Sequence, residues 1–297
     1  MSSSTLQVKT KPTPLARPRL SSKARSRIAA LICYILLVLG GIVCVFPFLW
    51  MLSTSLKTAP QVFVYPIKWI PEPIVWRNYI DAWQAANFSR FYFNSAYISA
   101  LSIIGAVISC SLAAYGFARL SFPGRDILFV LVLATMMLPN HVTIIPLFII
   151  YRTLGWLDTH LPLYVPYFFA PPFFVFLMRQ YFLSLPPDLE DAARIDGCNR
   201  LQILTYIFLP LAKPAITAVA IFVFIDTWNE FFMPLIVITS RTLYTVQLGL
   251  MTFRGEFSTE WNLLMAASVT ALLPCLIVFF LFQRYFIRGL ALSGLKG

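Results

Sequence analysis

The chain has 297 residues, 59% of them hydrophobic and 12% charged, with a formal net charge of +11. Soluble domains carry roughly twice that charged fraction, so a string of soluble domains is excluded and the apolar excess must face lipid. The basic residues gather at the edges of apolar runs, which marks membrane topology rather than nucleic-acid binding.

Residues 1–27 contain Lys9, Lys11, Arg17, Arg19, Lys23, Arg25 and Arg27 and no acid. This Ser- and Pro-rich segment cannot bury enough apolar area to fold alone and is expected to be a disordered cytoplasmic extension. The uncharged run at 28–53 is longer than a signal-peptide core and no small-residue cleavage site follows it, so it reads as a retained first span. Six runs reach the length of about 20 apolar residues that a bilayer requires: 28–53, 92–118, 127–151, 161–182, 214–238 and 262–284. The third is interrupted by Pro139, Asn140 and His141, and the fourth by Pro166, Pro171 and Pro172. Broken helices are tolerated at depth where neighbours resatisfy the backbone. Residues 28–297 are therefore expected to form one all-α integral membrane domain of six transmembrane helices.

With both ends inside, the cytoplasmic segments hold 16 of the 23 Lys and Arg residues. The positive-inside rule then puts the loop at about 184–213 in the cytoplasm. The long outer loop at 56–91 carries Trp69, Trp76 and Trp83, read as interface anchors, and an interfacial helix is expected around 78–86. The five cysteines form no CxxC and no Cys/His cluster, and His141 and His160 are too scattered for a metal site.

The longest polar interruption in the second half is 188–214. Pro186 and Pro187 precede it, and Asp188 is expected to N-cap a short helix, with Asp191 completing a short-acid capping box. Leu189, Ala192, Ala193 and Ile195 are expected on one face and Arg194 on the other, with Gly197 where a left-handed glycine would end the helix. A second amphipathic segment carries Leu201, Ile203, Leu204, Ile207 and Phe208, and Pro210 and Pro214 bracket the entry to the next span.

Asp191-Ala192-Ala193, then Gly197, then Ile207, Leu209 and Pro210 fall at the spacings of the pattern E-A-A, G, I-x-L-P, with aspartate in place of the usual glutamate. The segment resembles the cytoplasmic EAA loop of ABC-importer permeases of the carbohydrate-uptake, maltose-type, binding-protein-dependent family. Similar to that family too are Asn94-Ser95, Arg119 with Phe122-Pro123-Gly124-Arg125, Met137-Leu138-Pro139, and Leu154-Gly155 with Thr159. So are Trp228-Asn229-Glu230 with Pro234-Leu235, and the tail Arg288-Gly289-Leu290, so that the resemblance covers about 28–297. It implies a type I ABC-importer permease fold in a prokaryotic inner membrane, multi-pass with both termini cytoplasmic, and a sugar or sugar-like solute. It also implies that Leu189, Glu190, Asp191, Ala192, Ala193, Arg194, Ile195, Asp196, Gly197, Leu209 and Pro210 couple the chain to an ATPase. The implied partners are a second homologous permease subunit in a heterodimer, two ATP-binding subunits carrying ATP and Mg, an extracytoplasmic solute-binding protein and membrane lipid. This chain itself is expected to bind no cofactor and no nucleic acid and to be no enzyme. A glycerol-phosphate-type permease is the alternative within the same family.

No Walker A loop, GxSxG, HExxH or paired catalytic carboxylate stands out. The intramembrane charges are Asp226 and Glu230, expected at i and i+4 on one helix face with Asn229 beside them. Ionisable groups at depth face a bundle interior or water. Either these border the translocation path, or they lie near the outer membrane edge and bond a neighbouring helix or partner subunit. Two other classes stand against the resemblance. A secondary transporter with a proton relay leaves the 191–210 pattern unexplained, and a polytopic membrane enzyme lacks its acid or histidine cluster.

Overall fold

The computed structural model describes residues 22–255 and 258–294. The chain divides into two compact units, residues 1–50 and 51–297. The described part of the first belongs to the apolar helix α1 (Ser22–Ser55). That helix starts inside the predicted extension, because the short Ser-Lys-Ala-Arg turn continues the helical run; residues 1–21 lie outside the described residues.

The second unit follows as α2 (Arg77–Ala85), α3 (Phe88–Arg119), α4 (Arg125–Ala134), α5 (Asn140–Thr153), α6 (Leu161–Tyr164) and α7 (Pro172–Ser184). Then come α8 (Asp188–Ile195), α9 (Arg200–Ile203), α10 (Leu209–Leu211), α11 (Lys213–Asn229), α12 (Phe232–Val237), α13 (Val246–Leu250) and α14 (Trp261–Gly294). Among the described residues, four stretches are long and apolar enough to cross a membrane: Ala29–Ser55, Phe88–Arg119, Leu161–Ser184 and Trp261–Gln283. Two bent pairs bring the spans to six: Arg125–Met137 with Val142–Thr153 at 103°, and Arg200–Leu211 with Lys213–Asn229 at 79°. The fold is an all-α membrane domain, as expected.

The helix α3 is the axis of the second unit. Much of its buried face is small and weakly polar (Ser95, Ser99, Ser102, Gly105, Ala106, Cys110, Ala114, Ala118). Small side chains let neighbouring backbones approach closely, which in lipid replaces the hydrophobic drive for helix association. Gly105 shows how tightly: a Cβ there would stand 2.5 Å from the Phe168 ring. The fourth span unwinds opposite this point, with a tight turn at Val165–Phe169 and Ala170 left-handed at φ 53°. The prolines at 166, 171 and 172 withhold the N–H groups a continuous helix would need. Ser109 of α3 makes good part of the loss. Its Oγ accepts the Ala170 N–H at 3.1 Å and donates to the Tyr167 carbonyl at 3.0 Å.

The outer-loop helix forms at α2, but it packs onto the unit instead of lying free at an interface. Ala82 is buried, and Asn78 donates to the carbonyls of Ser55 and Lys57, both at 2.8 Å. Trp69 and Trp76 remain exposed, whereas Trp83 packs on Phe88 and Tyr92. The side chain of His141 and the 288–290 tail side chains lie outside the described residues. His160 bonds the Leu243 carbonyl at 2.9 Å.

Candidate functional site

The loop between α7 and α11 is built from local chemistry. Pro186 and Pro187 stop α7, and Pro187 itself nucleates α8 because its ring already holds a helical φ of −65°. Its carbonyl accepts the N–H groups of Glu190 at 2.9 Å and Asp191 at 3.3 Å. Asp188 is therefore the first helical residue rather than the N-cap, and the expected Asp188–Asp191 capping box does not form. Asp188, Glu190 and Asp191 crowd the first turn and Arg194 the last, the arrangement that complements the helix dipole.

At its end α8 closes with Gly197 at φ 83°, as expected. Gly197 N–H donates to Arg194 O at 3.1 Å and Cys198 N–H to Ala193 O at 2.9 Å. This pair of bonds is the Schellman motif, which needs a left-handed residue at that position.

The faces of α8 differ from expectation. Ala193 and Glu190 turn inward, each 5% exposed, while Leu189 and Ile195 are 39% and 86% exposed. Ala192 is exposed as well. The apolar residues thus do not share one buried face. The inward side takes a carboxylate because Arg194 Nη2 bonds Glu190 Oε1 at 2.6 Å, and a buried charge needs such a partner. What faces away from the unit is Asp188, Ala192 and Ile195, flanked by Leu189.

The return strand begins with a capping box at Asn199. Asn199 Oδ1 accepts Gln202 N–H at 2.9 Å, and Gln202 Oε1 accepts Asn199 N–H at 2.8 Å. Asn-x-x-Gln is a capping-box signature that the sequence itself carries. Ile203, Leu204 and Phe208 are buried, whereas Leu201 is 61% exposed. A π-helical turn at Leu204–Phe208 leads into α10, where Leu209 is half-buried against the core and Pro210 is exposed. Pro214 at the start of α11 fixes the 79° bend, since it has no N–H to continue the preceding helix.

Two arginines tie the neighbouring helix ends together, and Arg119 also reaches this loop. Arg119 Nη2 donates to Phe182 O at 2.6 Å and Leu185 O at 2.5 Å, and the guanidinium lies 4.9 Å from the centre of the Phe208 ring. Arg179 Nε donates to Phe117 O at 3.2 Å and stacks 4.1 Å from the centre of Phe129. Arg179 had no place in the sequence reading, because its partners are backbone atoms 62 residues away.

On α11 Asp226 is exposed, and its Oδ2 accepts the Tyr167 O–H at 2.5 Å. Asn229 Oδ1 accepts from Gln247 Nε2 at 3.3 Å. Glu230 follows the last residue of α11 with a helical φ of −66°, which keeps its side chain on the Asp226 side, and the chain turns away only at its ψ of 124°. Pro234 is the cause, because its ring would clash with the Glu230 carbonyl in a continuous helix. Glu230 Oε1 instead accepts the Met233 N–H at 3.0 Å and caps α12. Thr227 donates to Ser99 Oγ at 2.9 Å, and Ser99 stands about 16 Å along α3 at 1.5 Å per residue.

Residues 105–292 match the family described as binding-protein-dependent transport system inner membrane component. The chain belongs to that family. It is 34% identical over 286 residues to the sulfoquinovosyl glycerol transport system permease protein SmoH of Agrobacterium fabrum, covering 96% of this chain and 99% of that protein. It is 36% identical over 271 residues to the trehalose/maltose transport system permease protein MalG of Thermococcus litoralis, covering 89% and 97% respectively. In structure it resembles a chain of a bacterial ABC transporter that imports the acidic polysaccharide alginate, with TM-score 0.80 and 25% identity. That likeness covers 91% of this chain and 100% of the other. The permease is thus a multi-pass inner-membrane subunit of an ABC importer, a transport subunit rather than an enzyme. The family match spans the whole 184–213 loop, the two arginines and the Asp226 group.

Proposed function

We propose that this permease carries a polyhydroxylated solute, an oligosaccharide, glycoside or polyol derivative, into the cell, driven by ATP hydrolysed on partner subunits. The solute class rests on relatives whose names share only that chemistry, trehalose and maltose on one side and sulfoquinovosyl glycerol on the other. In this reading α8 seats in a groove of an ATP-binding subunit, and two such subunits hold ATP and Mg. A second, homologous permease subunit completes the path, and an extracytoplasmic binding protein delivers the solute. Both termini and the 184–213 loop are cytoplasmic. Asp226 and Asn229, exposed near the end of α11, border the path.

The observation that carries the reading is the outward face of α8, where Ile195 stays 86% exposed on a helix whose other side is locked to the unit. A stable helix that presents an apolar side chain at the end of a membrane domain is built to be covered. The test is a cysteine at position 195 in the complex purified with its ATPase subunits. Cross-linking from that position to the ATPase, blocked in a Gly197→Val background, is the expected result. Modification of position 195 from outside intact cells would overturn both the docking and the topology.

A further inference from the structure

Helices α3 and α7 run parallel. Gly105 meets Phe168, Cys110 lies 3.8 Å from the Pro171 carbonyl, Phe117 is bonded by Arg179, and Phe182 is bonded by Arg119. Their C-terminal ends therefore lie side by side, and α7 runs directly into the 184–213 loop. Each end carries roughly half a negative charge and several carbonyls without helical donors, so two such ends repel. The permease answers with a reciprocal pair, the arginine of each helix donating to the closing carbonyls of the other. Each guanidinium then reaches a third element by stacking on a ring, Phe208 on the strand returning from α8 and Phe129 in α4.

The consequence lies in where these contacts fall. Arg119 holds Phe182 and Leu185, which lead into α8, and Phe208, which leads out of it. One side chain thus grips both strands of the loop. A displacement of α8 cannot be absorbed by flexing of those strands and must pass into α3 and α7. We propose that Arg119 and Arg179 are positioning residues for transport, a clasp that makes α8, α3, α7 and α4 move as one body when the ATPase closes. The proposal rests on the coupling reading above and adds the route by which motion leaves the loop.

The test uses the whole complex in proteoliposomes, with Arg119→Gln, Arg119→Lys and Arg179→Gln compared with wild type for ATPase co-purification, ATP hydrolysis, and solute moved per ATP. Lysine keeps the charge but has neither the planar fork nor the stacking surface. The expected result is wild-type recovery of ATPase subunits and at least a tenfold fall in solute per ATP for both Gln variants, with a smaller fall for Arg119→Lys. A purely structural role would lower recovery and leave the ratio unchanged, and that outcome overturns the proposal. Should the Gln variants fail to insert, Arg119→Lys decides alone: a wild-type ratio counts against the clasp and a lowered ratio supports it. Cross-linking from position 195 in the same preparations keeps the two readings apart. Its loss in the wild-type complex would sink the coupling assignment, whereas its persistence alongside unchanged ratios would sink only the clasp.

Discussion

At one end of α3 the 184–213 loop is held together largely by bonds between near neighbours, the Schellman pair, the Asn199–Gln202 box and the Glu190–Arg194 ion pair. At the other end the 238–246 segment is held by residues 81 to 151 positions away. Asp158 binds Thr239 and Ser240, His160 binds Leu243, Asn94 binds Thr242 and Tyr244, and Ser95 binds Val246. The first region carries its own shape and needs the rest of the chain only for anchorage, at Arg119 and the buried Ile203, Leu204 and Phe208. The second is fixed from outside itself, by α3 and by Asp158 and His160. A part that must travel as a rigid piece suits the first construction. A part that must respond to the position of the bundle suits the second.

The comparison breaks most readily at Asn94. Its buried Nδ2 donates to both Thr242 O and Tyr244 O at 2.9 Å. Replacing it with Leu leaves two carbonyls without their donor, at a cost of about 2–4 kcal/mol. Asn94→Leu should lower the melting temperature of the detergent-solubilised complex by several degrees and leave co-purification of the ATPase intact. An unchanged melt would mean that α3 does not organise that end. Next in size is Gly197→Val. No atom lies within 4 Å of a Cβ at this position, so the whole effect is backbone strain at φ 83°, about 1–3 kcal/mol. The variant should insert normally and lose ATPase docking or uptake. Gly197→Asn should recover much of the wild-type activity, because asparagine tolerates the left-handed region. Equal loss in both variants would point to a need for space rather than for conformation.

The same contrast explains what was legible in the sequence. Local rules found the Gly197 turn, the interruption of the fourth span and the bracketing prolines, since each acts within a few residues of itself. They misplaced the start of α8 because proline and aspartate compete for the cap, and Pro187 was already in helical geometry. They carried the fifth span through to 238, whereas α11 ends at Asn229, because Pro234 acts back on a residue four positions earlier, a break that a count of apolar residues passes over. The inward turn of Glu190 was illegible for a different reason. Periodicity alone assigns a carboxylate to the solvent face, and only the Arg194 partner reverses that. Arg179 and the Asn94 bonds depend on register between helices and leave no local trace.

Arg194→Leu tests the ion pair at a smaller scale. Glu190 is buried and Arg194 half-exposed, so solvent screening on the arginine side reduces the loss to about 1–2 kcal/mol. The expected signature is a modest drop in thermal stability that Glu190→Gln in the same chain largely restores, because the amide needs no cation. No recovery in the double variant would show that Arg194 acts on the ATPase surface and not on Glu190.

The smallest effect belongs to Asp158, and it sharpens the contrast through pH. Asp158 stands at φ 55°, and one of its carboxylate oxygens accepts the N–H groups of Thr239 at 3.0 Å and Ser240 at 2.7 Å, the other the Ser240 hydroxyl at 2.5 Å. Donors aimed at the ionised form hold this carboxyl below the usual aspartate range, the Ser240 hydroxyl contributing most. The folded-state pKa lies below the unfolded value, so the unfolded chain binds the proton first as pH falls. The stabilisation is therefore complete above the ordinary aspartate pKa of about 4 and disappears as pH drops through the lower folded value. Asp158→Asn should remove that acid-side loss while slightly weakening the segment at neutral pH, since an amide oxygen accepts less strongly than a carboxylate. Protease sensitivity of 238–246 in the solubilised complex, followed from pH 7 to pH 3, reads the effect directly. Wild type should become more sensitive toward the acid end and the Asn variant should stay flat. Parallel profiles would mean that Asp158 does not fasten this segment, and that the long-range construction at this end rests on α3 alone.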